Sequence, residues 1–122
     1  MIISVITSEK TKEVLINKTQ GDELYAPMSL AWEIGNAISA MYKRKSITEH
    51  DGNYIISAFK KIPISLVDIN IFKAIQLAYK YNIYAYDAYM MQCAKEQKAA
   101  LITLDKKLIT IAKKCHINTI EV

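Results

Sequence analysis

Cysteine is scarce: Cys93 and Cys115 are the only two in 122 residues. Neither belongs to a CxxC pair or a Cys-His spacing, so neither a disulfide framework nor a zinc site is suggested. Both read as small apolar residues in helices. Long hydrophobic runs are missing as well, and no apolar stretch approaches the roughly 20 residues needed to cross a bilayer. Met1-Ile2-Ile3 opens the chain without the basic and small-residue flanks of a leader peptide, so the expected location is the cytoplasm, with no membrane partner. Histidine is confined to His50, in a polar segment, and His116, before the last predicted strand. Neither has a carboxylate or serine in register for a triad. With no linker, repeat or low-complexity segment, one domain spanning residues 1–122 is expected.

What is present suits a folded domain. Apolar residues make up 52% and charged residues 23%, enough burial to offset chain entropy and enough charge for solubility. The net charge is +4 with a pI near 9.0. Basic residues gather at Lys43-Arg44-Lys45, Lys60-Lys61, Lys106-Lys107 and Lys113-Lys114, a surface that favours a polyanion, although lysine pairs on solvated helix faces are also ordinary.

Strand and helix signals alternate along the chain. Ile2 to Ile6 predicts a short strand, and Ser8 a cap for a helix from Glu9 to about Asn17. Leu24 to Ala26 predicts a strand stopped by Pro27. Ser29 then caps a helix in which Leu30, Ile34, Ala37, Ile38 and Met41 fall at helical spacing. Thr48 to Lys60 keeps a helical interval through Ile55, Ile56 and Phe59 despite Gly52. Ile62 to Val67 predicts a strand, with Pro63 at its start or on an edge, and Asp68 caps a helix that ends near Tyr81-Asn82. Ile83 to Tyr86 leads into Asp87 and a helix over Ala88 to Lys98. Ala99 to Leu104 predicts a strand, Asp105 caps a helix over Lys106 to Lys114, and Ile117 to Val122 closes as a strand. This order argues for an α/β fold with a central parallel sheet flanked by helices.

In such a sheet the strand-to-helix junctions emerge at one edge, where ligands bind. Glu33, Asp68, Asp87 and Asp105 lie at or just after such junctions. Each taken alone is explained as a helix cap or first-turn acid. Glu33 fits that explanation less well, because Leu30 and Ala37, one turn away, lie in or beside the apolar stripe, and a carboxylate near a core needs a partner. Several carboxylates at one edge repel unless a hard cation joins them. With no His or Cys cluster, Mg²⁺ or Mn²⁺ is the expected ion, and phosphodiester hydrolysis the expected chemistry. Phosphatases and receiver-like domains share this pattern.

Three segments add specificity. Trp32-Glu33-Ile34-Gly35-Asn36-Ala37, Tyr84-Ala85-Tyr86-Asp87-Ala88-Tyr89 and Leu101-Ile102-Thr103-Leu104-Asp105-Lys106-Lys107-Leu108 resemble, in order, the E-x-x-N-A, Y-D-A and T-x-D-x-x-L segments of PIN-domain ribonucleases of the VapC toxin type. The similarity runs from about Val5 to the C-terminus. It implies a three-layer PIN-like sandwich and a Mg²⁺- or Mn²⁺-dependent endoribonuclease acting on structured RNA. It also implies a homodimer, held in check by a cognate VapB-like antitoxin whose tail occupies the active groove. Carried over by position, Glu33, Asp87 and Asp105 become metal ligands or water positioners, Thr103 supports the site from its strand end, and Asn36 orients Glu33.

The family opens with a strand bearing an Asp-Thr-Ser-like or Asp-Ala-Ser-like signature, and its acid has no counterpart here, so a PIN-like domain short at its N-terminus is expected. Met1 to Ile6 would then match the end of that strand and the start of the first helix. Alternatively, Ile2 to Ile6 take the vacant strand position and carry Ser4, Thr7, Ser8 or Glu9 toward the site. The functional alternative is an inactive remnant that binds antitoxin or RNA. In that family context Asp68, on an edge strand, reads as a cap only. Tyr79, Tyr81, Tyr84, Tyr86 and Tyr89 are able to stack on bases but read mainly as core or dimer face, and Trp32 as core or interface.

Overall fold

A computed structural model describes residues 23–120. The expected strand at Ile2 to Ile6, the expected helix at Glu9 to Asn17 and the last two residues of the closing strand lie outside them. Within them, β1 (Leu24–Pro27) leads into α1 (Leu30–Lys43) and α2 (Glu49–Lys61), then β2 (Ile64–Val67) into α3 (Ile71–Tyr81) and α4 (Ala85–Gln97). The strand β3 (Leu101–Ile102) leads into α5 (Lys106–Lys114), and β4 (Thr119–Ile120) follows. β1 pairs in parallel with β2, Leu24 opposite Ile64 and Pro27 opposite Val67. The Met28 N–H extends this ladder by donating to the Val67 carbonyl at 3.1 Å. β3 pairs in parallel with β4, Leu101 opposite Thr119. The architecture is the expected α/β one, with parallel strands joined by helices, and no helix among the described residues is long and apolar enough to cross a membrane.

Among the described residues, two apolar clusters hold the elements. Ala26, Leu30, Ile34, Ile38 and Ile55 join β1, α1 and α2. Leu77, Met91, Leu101, Leu108, Ile111 and Ile117 join α3, α4, α5 and the β3–β4 pair. Leu30, Ile34, Met91 and Leu108 are fully buried, each worth about 1.5–3 kcal/mol of transfer free energy. The helix α4 is the hub, packing on α3, β1 and β3. It buries Ala88, Met91, Gln92, Cys93 and Ala94, residues on more than one of its faces, as a central helix must. Burial there pushes the Cys93 thiol up to about 11, which makes it an inert core residue. Cys115 is the residue that ends α5.

Some boundaries match the sequence expectation and others differ, each for an identifiable reason. The helix expected over Thr48 to Lys60 forms through Gly52, as α2. Thr48 and Asp51 form a reciprocal capping box that starts α2, and a side chain at position 52 would run into the Tyr42 ring. The helix α4 begins at Ala85, one turn before its expected start, because the Tyr84 carbonyl accepts the Ala88 N–H at 3.1 Å. The strand expected from Ala99 shortens to Leu101–Ile102, because Lys98 turns left-handed (φ 51°) at the end of α4. Ala99 then donates back to the Ala94 carbonyl at 3.0 Å. Ser29 precedes α1 but has helical dihedrals and no side-chain cap bond.

Candidate active site

Asp105 starts α5. Its Oδ1 accepts from the N–H groups of Lys107 at 2.9 Å and Leu108 at 3.3 Å, which satisfies two otherwise unpaired donors of the first turn. One residue before the turn, Thr103 is 1% exposed, and its Oγ1 accepts the Asp105 N–H at 3.1 Å. The loop after β3 is thereby held from inside, and Asp105 is fixed in position with Oδ2 outside the cap.

Asp87 lies in the first turn of α4, half-buried. Burial pushes its carboxyl above the ordinary range, the Asp105 carboxylate pushes it further, and Lys107 opposes the rise. Glu33 lies in the first turn of α1, also half-buried. Burial raises its carboxyl as well, and Asp87 adds to the rise. Asp87 thus feels the field of Asp105 and imposes its own on Glu33. The topology accounts for this placement, since α4 packs on β1, which leads to Glu33, and on β3, which leads to Asp105. A positive helix N-terminus lies under Asp87 and another under Asp105.

As a three-ligand cage the acids stand apart: among the described residues no three His, Cys, Asp or Glu side chains converge closely enough to hold a metal ion together. Their donor chemistry nevertheless suits a hard divalent cation, since all three offer only oxygen and two are held above their usual range by burial and by a neighbouring carboxylate. Asn36, given the task of orienting Glu33, is exposed, and its backbone carbonyl accepts from Ser39 Oγ at 2.9 Å.

Asp68 is not a cap. The residue that starts α3 is Asn70, whose side chain accepts the Lys73 N–H at 3.1 Å, because Asp68 lies too far upstream of the first helical residue to reach those donors. Sequence reasoning also passed over Glu96. One oxygen of that carboxylate accepts both the Asn70 N–H at 2.8 Å and the Gln92 amide at 2.9 Å, and these bonds hold its pKa below the usual carboxylate value. Gln92 itself is 3% exposed. Together they fasten the start of α3 to α4. The i, i+4 spacing of Gln92 and Glu96 is visible in the sequence; their grip on Asn70 is not. Trp32 is no core residue, being 73% exposed, and Tyr79 and Tyr84 are at 91% and 85%.

The family model of the PIN domain matches residues 1–114. No curated protein matches the chain. The family match covers all three acids and the strand ends that present them, and members of this family are generally nucleases, so the parallel α/β architecture and the carboxylates at its strand-to-helix turns have one common explanation: the chain belongs to the PIN-domain family.

Proposed function

We propose that the chain is a Mg²⁺- or Mn²⁺-dependent endoribonuclease of the VapC toxin type. The observation that carries this reading is the electrostatic linkage of three acids from distant parts of the chain, with Asp87 as the common member. Uncompensated, such an arrangement is unfavourable, and a cation relieves it. Glu33, Asp87 and Asp105 would hold the ion. When bound, it would neutralise their repulsion, draw phosphate oxygens and make a water acidic enough to attack phosphorus.

The side chains would divide the remaining work. With Oδ1 committed to the α5 N-terminus, Asp105 offers Oδ2 to the site, while Thr103 Oγ1 keeps the loop from drifting. Of Asp87 and Glu33, a carboxylate oxygen left free of the ion would take the proton of the attacking water. A P–O bond to that water forms as the ester P–O bond breaks, and the proton passes to the departing ribose oxygen, which leaves as a hydroxyl. Lys107, near enough to act on Asp87, attracts the RNA phosphate. Homodimerisation and neutralisation by a VapB-like antitoxin follow from the resemblance to toxins of this type and belong to the same proposal.

The test is cleavage of total RNA by purified full chain with Mg²⁺ or Mn²⁺, and with chelator as control. Asp87→Asn should lower the rate by about 10²-fold or more, whereas Glu49→Gln, an exposed acid at the start of α2, should leave it unchanged. Cleavage that ignores chelator would overturn the metal dependence, and no cleavage from folded protein would overturn the nuclease and favour a non-catalytic binding module.

A further inference from the structure

Where β1 and β2 end, a groove of about 270 Å³ opens, lined by Met28, Trp32, Val67, Asp68, Ile71 and Tyr89 among others. Its walls are unusual for a surface. Trp32 is 73% exposed, Met28 51% and Ile71 50%, so a flat apolar face is left to water where one would expect it to be covered. The Tyr89 ring is set in place by Tyr86, edge to face with centroids 5.9 Å apart and planes at 81°. At the rim sits Asp68, exposed and left clear of the helix start because Asn70 makes the cap.

Aromatic rings on the helices that carry the acids suit an unstacked base, since every base has a π-face. The carboxylate narrows the choice. It repels phosphate, so the sugar-phosphate backbone does not enter, and it only accepts hydrogen bonds, so the base must donate. Guanine alone carries two neighbouring donors on its pairing edge, N1–H and the N2 amino group, which match the two oxygens of a carboxylate in parallel bonds, as an arginine fork does. Adenine and cytosine present one amino group, and uracil one imino group.

We propose that this groove holds an unpaired guanine of the RNA, its ring against Trp32 and Tyr89 and its N1–H and N2–H donating to the Asp68 carboxylate. Trp32 shares α1 with Glu33 and Tyr89 shares α4 with Asp87, so the groove and the acids are built on the N-terminal halves of the same two helices. The inference rests on the nuclease reading for the identity of the ligand, and it makes the groove a specificity site for that reaction.

Trp32 is the single tryptophan of the chain, so its fluorescence reports the groove directly. With chelator present to suppress cleavage, the full chain is titrated with the ribonucleotides UUGUU, UUAUU, UUCUU and UUUUU. Quenching by UUGUU should reach its midpoint at a concentration about tenfold lower than for the others, the discrimination typical of a bidentate base contact. Asp68→Asn, an exposed substitution, should abolish that preference while the other three midpoints stay within about twofold. Equal midpoints for all four, no quenching, or an unchanged preference in Asp68→Asn would overturn the proposal. Fluorescence that instead varies with protein concentration would also overturn it and assign the groove to a protein partner. These outcomes are separate from cleavage: an active nuclease with no guanine preference loses this inference alone, and an inactive chain that still selects UUGUU loses only the nuclease.

Discussion

The turns after β2 and β3 begin alike, each with an aspartate just after a parallel strand and a helix soon to follow, and they end differently. After β3, Asp105 is the cap, its N–H is taken by Thr103, and its position is set by three hydrogen bonds. After β2, the helix begins two residues later in relation to its acid, Asn70 makes the cap, and Glu96 grips the Asn70 N–H from α4. Two residues before each acid stands Thr103 in one turn and Leu66, 40% exposed, in the other. An acid becomes an anchored part of the site when a buried hydroxyl precedes it and the helix starts at once. With neither feature, the same residue type is left as an exposed carboxylate facing a groove.

The largest effect should come from removing what makes the β3 turn different. Thr103→Val keeps the volume but takes away the acceptor of the Asp105 N–H, and should cost about 1–3 kcal/mol, read from the urea midpoint. Thr103→Ser, which retains the oxygen and loses a buried methyl, should cost only about 1 kcal/mol. If valine is tolerated as well as serine, the hydroxyl does not anchor the loop. Smaller effects should separate the two caps from the acid that only resembles one. Asp105→Ala and Asn70→Ala should each cost about 1 kcal/mol, whereas Asp68→Ala should fall within about 0.5 kcal/mol of the parent. An equal loss at all three positions in the same urea titrations would erase the distinction between the turns.

The contrast shows which parts of the molecule could be read from residue order. Asp105 was legible because cap chemistry is local: the acid, the helix start and the preceding Thr103 fall within a few positions. The segments around Glu33 and Asp87 were legible because each sits in a short motif at a strand-to-helix turn. Asp68 was misread because the residue that competes with it, Asn70, owes part of its hold to Glu96, 26 positions away, and no local pattern encodes that grip. The exposure of Trp32 was legible but overlooked, since it stands two residues from both Leu30 and Ile34 and so on the opposite face of α1 from the buried stripe. Helix α4 escaped the 3.6-residue pattern at its start because burial on several faces blurs the periodicity that marks an amphipathic helix.

The smallest effect is electrostatic, and it distinguishes the two aspartates without altering the fold. Asp105 raises Asp87 and Asp68 does not figure among its influences. In chelator, Asp105→Asn, which retains a capping side chain, should therefore move the Asp87 midpoint downward in a carboxyl ¹³C NMR titration, and Asp68→Asn should leave it in place. Stability follows with a definite sign. Because Asp87 titrates above its ordinary value of 3.8 when folded, the folded chain binds more protons than the unfolded one between that value and its raised midpoint. Stability must then fall as pH rises through this window and remain lowered at neutral pH. Asp87→Asn should consequently stabilise the metal-free protein at pH 7, with the gain vanishing below about pH 4, where both states are protonated. If the substitution destabilises at pH 7, or its gain persists in acid, the charge on Asp87 is not strained by its neighbours. The pairing of Asp87 with the anchored turn after β3 would then fail.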